Sequence, residues 1–296
     1  MRSAEGRSGS LSSAIKKSLI WLLVLALCLG LTACGGSGGG RYRILRSLGD
    51  ANYYIAFRTG SDLAWYITAA MQVLAADGTL DSLNARWFRG GEKMEYTKNA
   101  EALDAAEGNI PSISILVGVD GENYPLSYQD ASGAFCGAFP ELAQAVCSKL
   151  GWTPQFYAIS SEKTYVELSS GEIDVAFGAP SNVKIVYKTD EKGKETEERV
   201  EEEYEIYGPF LRSEYVIAAL SGTKSGLKNK SLDINSSETI ETMLAHEKSL
   251  QGKFSRITRV VGGGRTLFSA LDSGECDCIL VTRAAVEVMN LSPPAS

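Results

Sequence analysis

The feature that most limits the fold is an apolar run at residues 113–119, followed by a loop and then an amphipathic helix. A run of that kind reads as a strand covered on both faces, the situation of a strand inside an α/β sheet. Pro140 stands at the helix start, Leu142, Val146 and Leu150 line one face, and Gly151 closes it, so strand, loop and helix follow in βα order. Residues 156–159 read as a further strand, 165–168 as a short helix and 173–177 as a third strand. A second set follows: a strand at 215–220, a helix at 237–250 with Ile240, Met243 and Leu244 on one side, and a strand at 256–261. It closes with a short helix at 266–271, a strand at 278–281 and a helix at 284–289. Two α/β lobes are expected.

Ahead of this pattern, residues 52–58 are β-branched and aromatic and end at Thr59-Gly60, which predicts a strand. Ser61 and Asp62 offer capping oxygens to a helix carrying Leu63, Ile67, Ala70 and Leu74, which Asp77-Gly78 stops. A shorter helix carries Leu80, Leu83 and Trp87. Residues 90–109, with Lys93, Glu95, Lys98, Glu101, Asp104 and Glu107, read as a polar, partly helical linker. Between Lys188 and Glu205, thirteen of eighteen residues are charged, flanked by alternating patterns, which predicts a solvated hairpin turning near Lys192-Gly193.

At the N-terminus, Lys16 and Lys17 precede an apolar run from Leu19 to Leu31. At about 1.5 Å per residue such a run is too short to cross a hydrocarbon core of about 30 Å, so it reads as an export signal that is removed. Leu31-Thr32-Ala33-Cys34 resembles the lipobox of bacterial lipoproteins, which makes Cys34 the expected lipidation site and residues 35–40 a glycine tether. Export permits disulfides, but Cys136, Cys147, Cys276 and Cys278 read better as small buried side chains. The net charge of −7, from 36 acidic against 29 basic residues, argues against a nucleic-acid partner. A single histidine, His246, and no Cys-x-x-Cys pair disfavour a metal site.

Three separated motifs carry a resemblance. Val117-Gly118-Val119-Asp120 with Asn123-Tyr124-Pro125-Leu126-Ser127-Tyr128, Gly133, Gly137 and Glu141-Leu142-Ala143 resembles the opening strand, ligand loop and first helix of the extracellular solute-binding proteins of family 3. Ser170-Gly171-Glu172-Ile173-Asp174 and Ala270-Leu271-Asp272-Ser273-Gly274-Glu275-Cys276-Asp277 are similar to its two "SGxxD" strands. The family's closing segment is similar to residues at the front of this chain: Tyr53-Tyr54-Ile55-Ala56-Phe57-Arg58, Ala76-Asp77-Gly78-Thr79-Leu80 and Arg86-Trp87-Phe88. The resemblance implies an α/β, two-lobed, periplasmic-binding-protein-like (type II) fold with circularly permuted strand order. A truncated first copy followed by an incomplete second one is the alternative. The implied organisation is a lipoprotein signal at 1–33, a tether at 34–41, the permuted closing segment at 42–90, a linker at 91–111, lobe 1 at 112–214 and lobe 2 at 215–296.

The implied function is capture of a small polar solute, an amino acid or a relative, by a monomeric receptor. It would be lipid-anchored to the bacterial cell membrane through Cys34, work outside the cytoplasm and deliver to an ABC permease, with no cofactor. Carried over by position, Asp120 matches a carboxylate near the ligand's cationic end, Asn123 and Tyr124 lie in the ligand loop with Tyr124 as an aromatic wall, and Ser181 matches a hydroxyl donor. Ser236 and Ser237 match a hydroxyl pair at a helix N-terminus, where simple capping is the other reading. The family's carboxylate for the α-ammonium falls at Thr282, and its arginine falls at Val186, while Arg199 stands in a similar Thr-x-x-Arg setting after the acidic insertion. Two other functions stay open: a permuted scaffold that no longer binds, and an enzyme on this fold using Asp120 and Glu162 as its carboxylate pair.

Overall fold

The computed structural model describes residues 40–89, 91–106 and 109–291. The predicted export signal, Cys34 and most of the tether lie outside these residues. These described residues form one compact unit, built on two five-stranded sheets.

In lobe 1 the strands β2 (Tyr53–Arg58), β3 (Ser114–Asp120), β6 (Thr153–Ile159), β7 (Val175–Ala179) and β10 (Tyr204–Leu211) lie in the order β10-β2-β7-β3-β6. β3 is parallel to both neighbours, whereas β2 is antiparallel to β7 and β10. The front strand is therefore an interior strand of this sheet. Its side chains alternate between two cores: Tyr53, Ile55 and Phe57 on one face, Ala56 on the other with Leu168, Ile173 and Tyr204. The first of these cores also takes Ile67, Met71 and Leu74 of α1 (Leu63–Ala76), Leu80 of α2 (Thr79–Trp87), and Phe139, Leu142 and Val146 of α3 (Ala138–Leu150). α1 ends at Asp77 with Gly78 at φ +86°, as the sequence predicts; at its start the Asp62 side chain makes no capping bond, and the Ser61 hydroxyl accepts from Leu63 N–H at 3.4 Å.

In lobe 2, β1 (Tyr42–Asp50), β11 (Glu214–Leu220), β12 (Lys230–Asn235), β13 (Phe254–Val260) and β14 (Cys278–Thr282) run in the order β1-β11-β14-β12-β13. Again two antiparallel pairings precede two parallel ones. Helices α5 (Glu238–His246), α6 (Gly263–Ser273) and α7 (Arg283–Leu291) cover the faces, and lobe 1 has the remaining short helix α4 (Thr164–Ser170). Strands β1 and β12 are absent from the sequence-based expectations. Cys276 and Cys278 are buried in cores on opposite faces of the sheet, and all four described cysteines are free. The start of β1 docks beside the chain's last helix, where Tyr42 N–H donates to the Asn290 side chain at 2.8 Å and Asn290 returns a bond to the Tyr42 carbonyl at 3.0 Å.

The chain crosses between lobes twice, from β1 to β2 and from β10 to β11, and the crossings are tied together. Ala51 N–H donates to the Ser213 carbonyl at 2.9 Å, Ser213 N–H to the Asn52 side chain at 3.2 Å, and Ala284 N–H to the Ser213 hydroxyl at 3.1 Å. The predicted linker is not a free tether. Met94 is buried and bridged to Leu211, and the Asn84 side chain pairs with both the N–H and the carbonyl of Met94 at 2.8 Å. Beside it Glu92 accompanies Glu214 and Glu287 around Arg283, and burial pushes its carboxyl up to about 7.

Two outcomes follow for stability. Phe57→Ala, emptying a fully buried site of the front strand, should cost about 3–5 kcal/mol in urea unfolding, with an unchanged slope. Glu92 keeps in the folded state a proton that the unfolded chain releases near 4.5, so its contribution falls as pH rises from there through about 7. Glu92→Gln should therefore lose less stability than the parent between pH 5 and pH 8, read as the urea midpoint.

Candidate functional site

Strand ends and helix starts meet at the boundary between the lobes, where backbone groups have no partner within their own element. From lobe 1, Asp120 closes β3; its side chain accepts from Glu122 N–H at 2.9 Å, and its carbonyl receives the buried Ser127 hydroxyl. Burial raises the Asp120 carboxyl above its ordinary range, against the pull of hydrogen bonds from Glu122 and Ser161. Tyr53, the first residue of β2, sends its hydroxyl across to the Thr282 hydroxyl of lobe 2 at 3.4 Å, with Asn123 and Asp120 also beside it. Its phenol is raised by burial. Tyr215 on β11 is pushed up to about 12, by burial first and then by the charges of Asp120 and Glu162.

Of the sequence-predicted residues, Asp120, Asn123 and Thr282 are thus brought together. Thr282 also accepts from Ala285 N–H at 3.3 Å, capping α7. Tyr124 packs on the lobe 2 core and meets Tyr128 edge-on at 4.9 Å. Ser237 caps α5, accepting from Ile240 N–H at 3.1 Å, and Ser236 beside it is exposed. Ser181 sits past β7 at the base of a hairpin, accepting from Val183 N–H at 3.1 Å.

That hairpin, β8 (Val183–Thr189) with β9 (Glu195–Glu201), turns at Gly193 as predicted. Arg199 is exposed on β9 opposite Ile185 and does not join the cluster. The hairpin is not wholly solvated, however. Tyr187 stacks on His246 of α5 at 3.4 Å between ring centroids and 3° between planes, and Glu195 lies 3.6 Å from the same imidazole. His246 is partly buried in this contact.

Tyr53, Tyr215 and Arg265 are members of the interlobe surface that sequence reasoning missed. Tyr53 opens a strand that the sequence predicts, and Gly262-Gly263-Gly264-Arg265 at the start of α6 is a visible signal for a close backbone approach. Gly264 N–H donates to the Glu122 carbonyl at 3.0 Å, and a Cβ on Gly264 would stand 2.5 Å from the Tyr124 carbonyl oxygen. Among the described residues no cluster of three or more metal-ligating side chains occurs, and no helix is long and apolar enough to cross a membrane.

Residues 115–184 match the model of the bacterial extracellular solute-binding proteins, family 3, a stretch confined to lobe 1. No curated protein matches the sequence. Solved structures similar to the chain include an ancestral arginine-binding protein bound to glutamine, at 19% identity and TM-score 0.40, covering 61% of this chain and 74% of that one. A mutant of ArgBP from T. maritima is similar at 16% identity and TM-score 0.42, covering 65% and 76%. An ABC uptake transporter substrate binding protein from Streptococcus pneumoniae, with bound histidine, is similar at 16% identity and TM-score 0.40, covering 63% and 71%.

The capping geometry of Ser237 has a measurable consequence. Ser237→Ala should lower unfolding stability by about 1 kcal/mol, the usual cost of losing a serine cap. Chemical denaturation checks it, and Ser236→Ala, at the exposed neighbour, should change stability far less.

Proposed function

We propose that the protein captures a small polar solute, an amino acid or a relative, between its two lobes and closes on it about the paired crossings. The observation that carries the reading is the meeting of polar groups from opposite lobes at their boundary: Asp120, Asn123 and Tyr53 from one side, Thr282 and Tyr215 from the other. Such convergent polar groups in a largely apolar frame are what a small-molecule site requires. The family match supports it, because it spans the strand, loop and hairpin base that carry Asp120, Asn123, Tyr124 and Ser181. In this reading Asp120 meets a cationic group, Thr282 a donor on the solute and Tyr124 its apolar part, while Ser236 and Ser237 lie beside the helix start that favours an anion.

The domain order fits a circular permutation. Strand β2 completes a sheet with later strands, and Tyr42 is hydrogen-bonded to Asn290 near the other end of the chain. Exchange of chain ends is tolerated where they lie close together. The receptor would be held outside the cytoplasm by a lipid on Cys34 and pass its solute to an ABC permease. A scaffold that no longer binds is the second reading, favoured by the exposure of Arg199 on β9.

A thermal-shift screen of amino acids, amines and carboxylates decides between them. A solute at a hundred times its dissociation constant adds about 2.7 kcal/mol of stability. Asp120→Asn should weaken binding of a cationic solute roughly tenfold to a hundredfold, the worth of a charge-assisted bond. A cooperative melt that none of these compounds moves is the result expected of the scaffold.

A further inference from the structure

Two charged side chains reach across the cleft at separate points. Glu162, in the 3-10 turn Ser161–Lys163 of lobe 1, accepts a hydrogen bond from Glu238 N–H, the first residue of α5 in lobe 2. A helix start attracts a carboxylate through its free N–H groups and its dipole. Ser237 already serves Ile240 N–H, so the two side chains divide the first-turn donors between them. At the second point Arg265, in the first turn of α6, places its guanidinium 4.8 Å from the Tyr124 ring and 5.2 Å from the Tyr128 ring. A guanidinium over phenol faces is held by the ring quadrupole and by stacking. Neither Glu162 nor Arg265 belongs to a core, and the backbone contact of Gly264 with Glu122 stands beside Arg265.

We propose that Glu162 and Arg265 form a two-point latch that holds the lobes together. Opening one contact weakens the other, because both depend on the same closed arrangement of the lobes.

Hydrogen exchange on the whole protein, without added solute, tests the latch by reading each variant at the contact it does not touch. Glu162→Ala should speed exchange at Gly264 N–H roughly tenfold, and Arg265→Ala should do the same at Glu238 N–H, while amides of β3 and β14 keep their protection. Gly264→Ala, which forces a Cβ against the Tyr124 carbonyl, supplies the reference for separated lobes. Effects confined to the mutated contact would overturn the latch, since they describe two independent surface contacts.

Discussion

The structure depends on one core that neither end of the chain can complete alone. Ile55 and Phe57 of β2 pack with Ile67 and Met71 of α1 on one hand, and with Val117 of β3 and Leu142 and Val146 of α3 on the other. Without the front segment the β7 and β10 edges would face each other across a missing strand, leaving ladder groups and apolar faces open to water. Closing that core places β2 antiparallel between its neighbours, and its first residue, Tyr53, is thereby set at the lobe boundary. The position of a cleft residue is thus a consequence of core packing.

The lobe boundary is governed by where polar groups have no home inside an element. Two crossings, pinned through Ser213, leave a narrow waist, and beyond it strand ends from lobe 1 face helix starts from lobe 2. Glycines at 263 and 264 let the α6 backbone touch the loop of Glu122 and Tyr124. The paired dependence on Tyr53, Asp120, Tyr215 and Thr282 makes the boundary polar yet poorly hydrated, and this is why its phenols and the Asp120 carboxyl hold their protons more firmly than they would in water.

Elements with strong periodicity were legible beforehand. The strand of Ile115, Val117 and Val119, the helix closed by Gly151 and the front strand of Ile55 and Phe57 all form near their predicted bounds, because their apolar faces admit one arrangement against a sheet. β1 and β12 escaped, since Arg43, Arg46 and Ser47 interrupt one and Lys230, Ser231 and Asp233 the other. Both gain their place from neighbours: β1 from pairing with β11, and β12 from lying between β13 and β14. The linker reads as polar because its charges mask buried anchors, Met94 and Ala106. The hairpin's charges likewise mask the one aromatic, Tyr187, that stacks on α5.

The sequence by itself determined the α/β alternation, the supply of a strand and two helices by residues 53–87, and the clustering of Asp120, Asn123 and Tyr124 on one loop. These follow from local periodicity and from residues that must stop or cap an element. Only the tertiary structure decided which groups from distant segments share the cleft: Tyr53 with Thr282, Glu162 with the start of α5, Arg265 with two tyrosines. It also decided that Arg199 stays on the outer hairpin. The reason is physical: such contacts are fixed by how sheets pack and where the crossings hold the lobes, and a pattern with period two or 3.6 carries no record of partners 76 or more residues away.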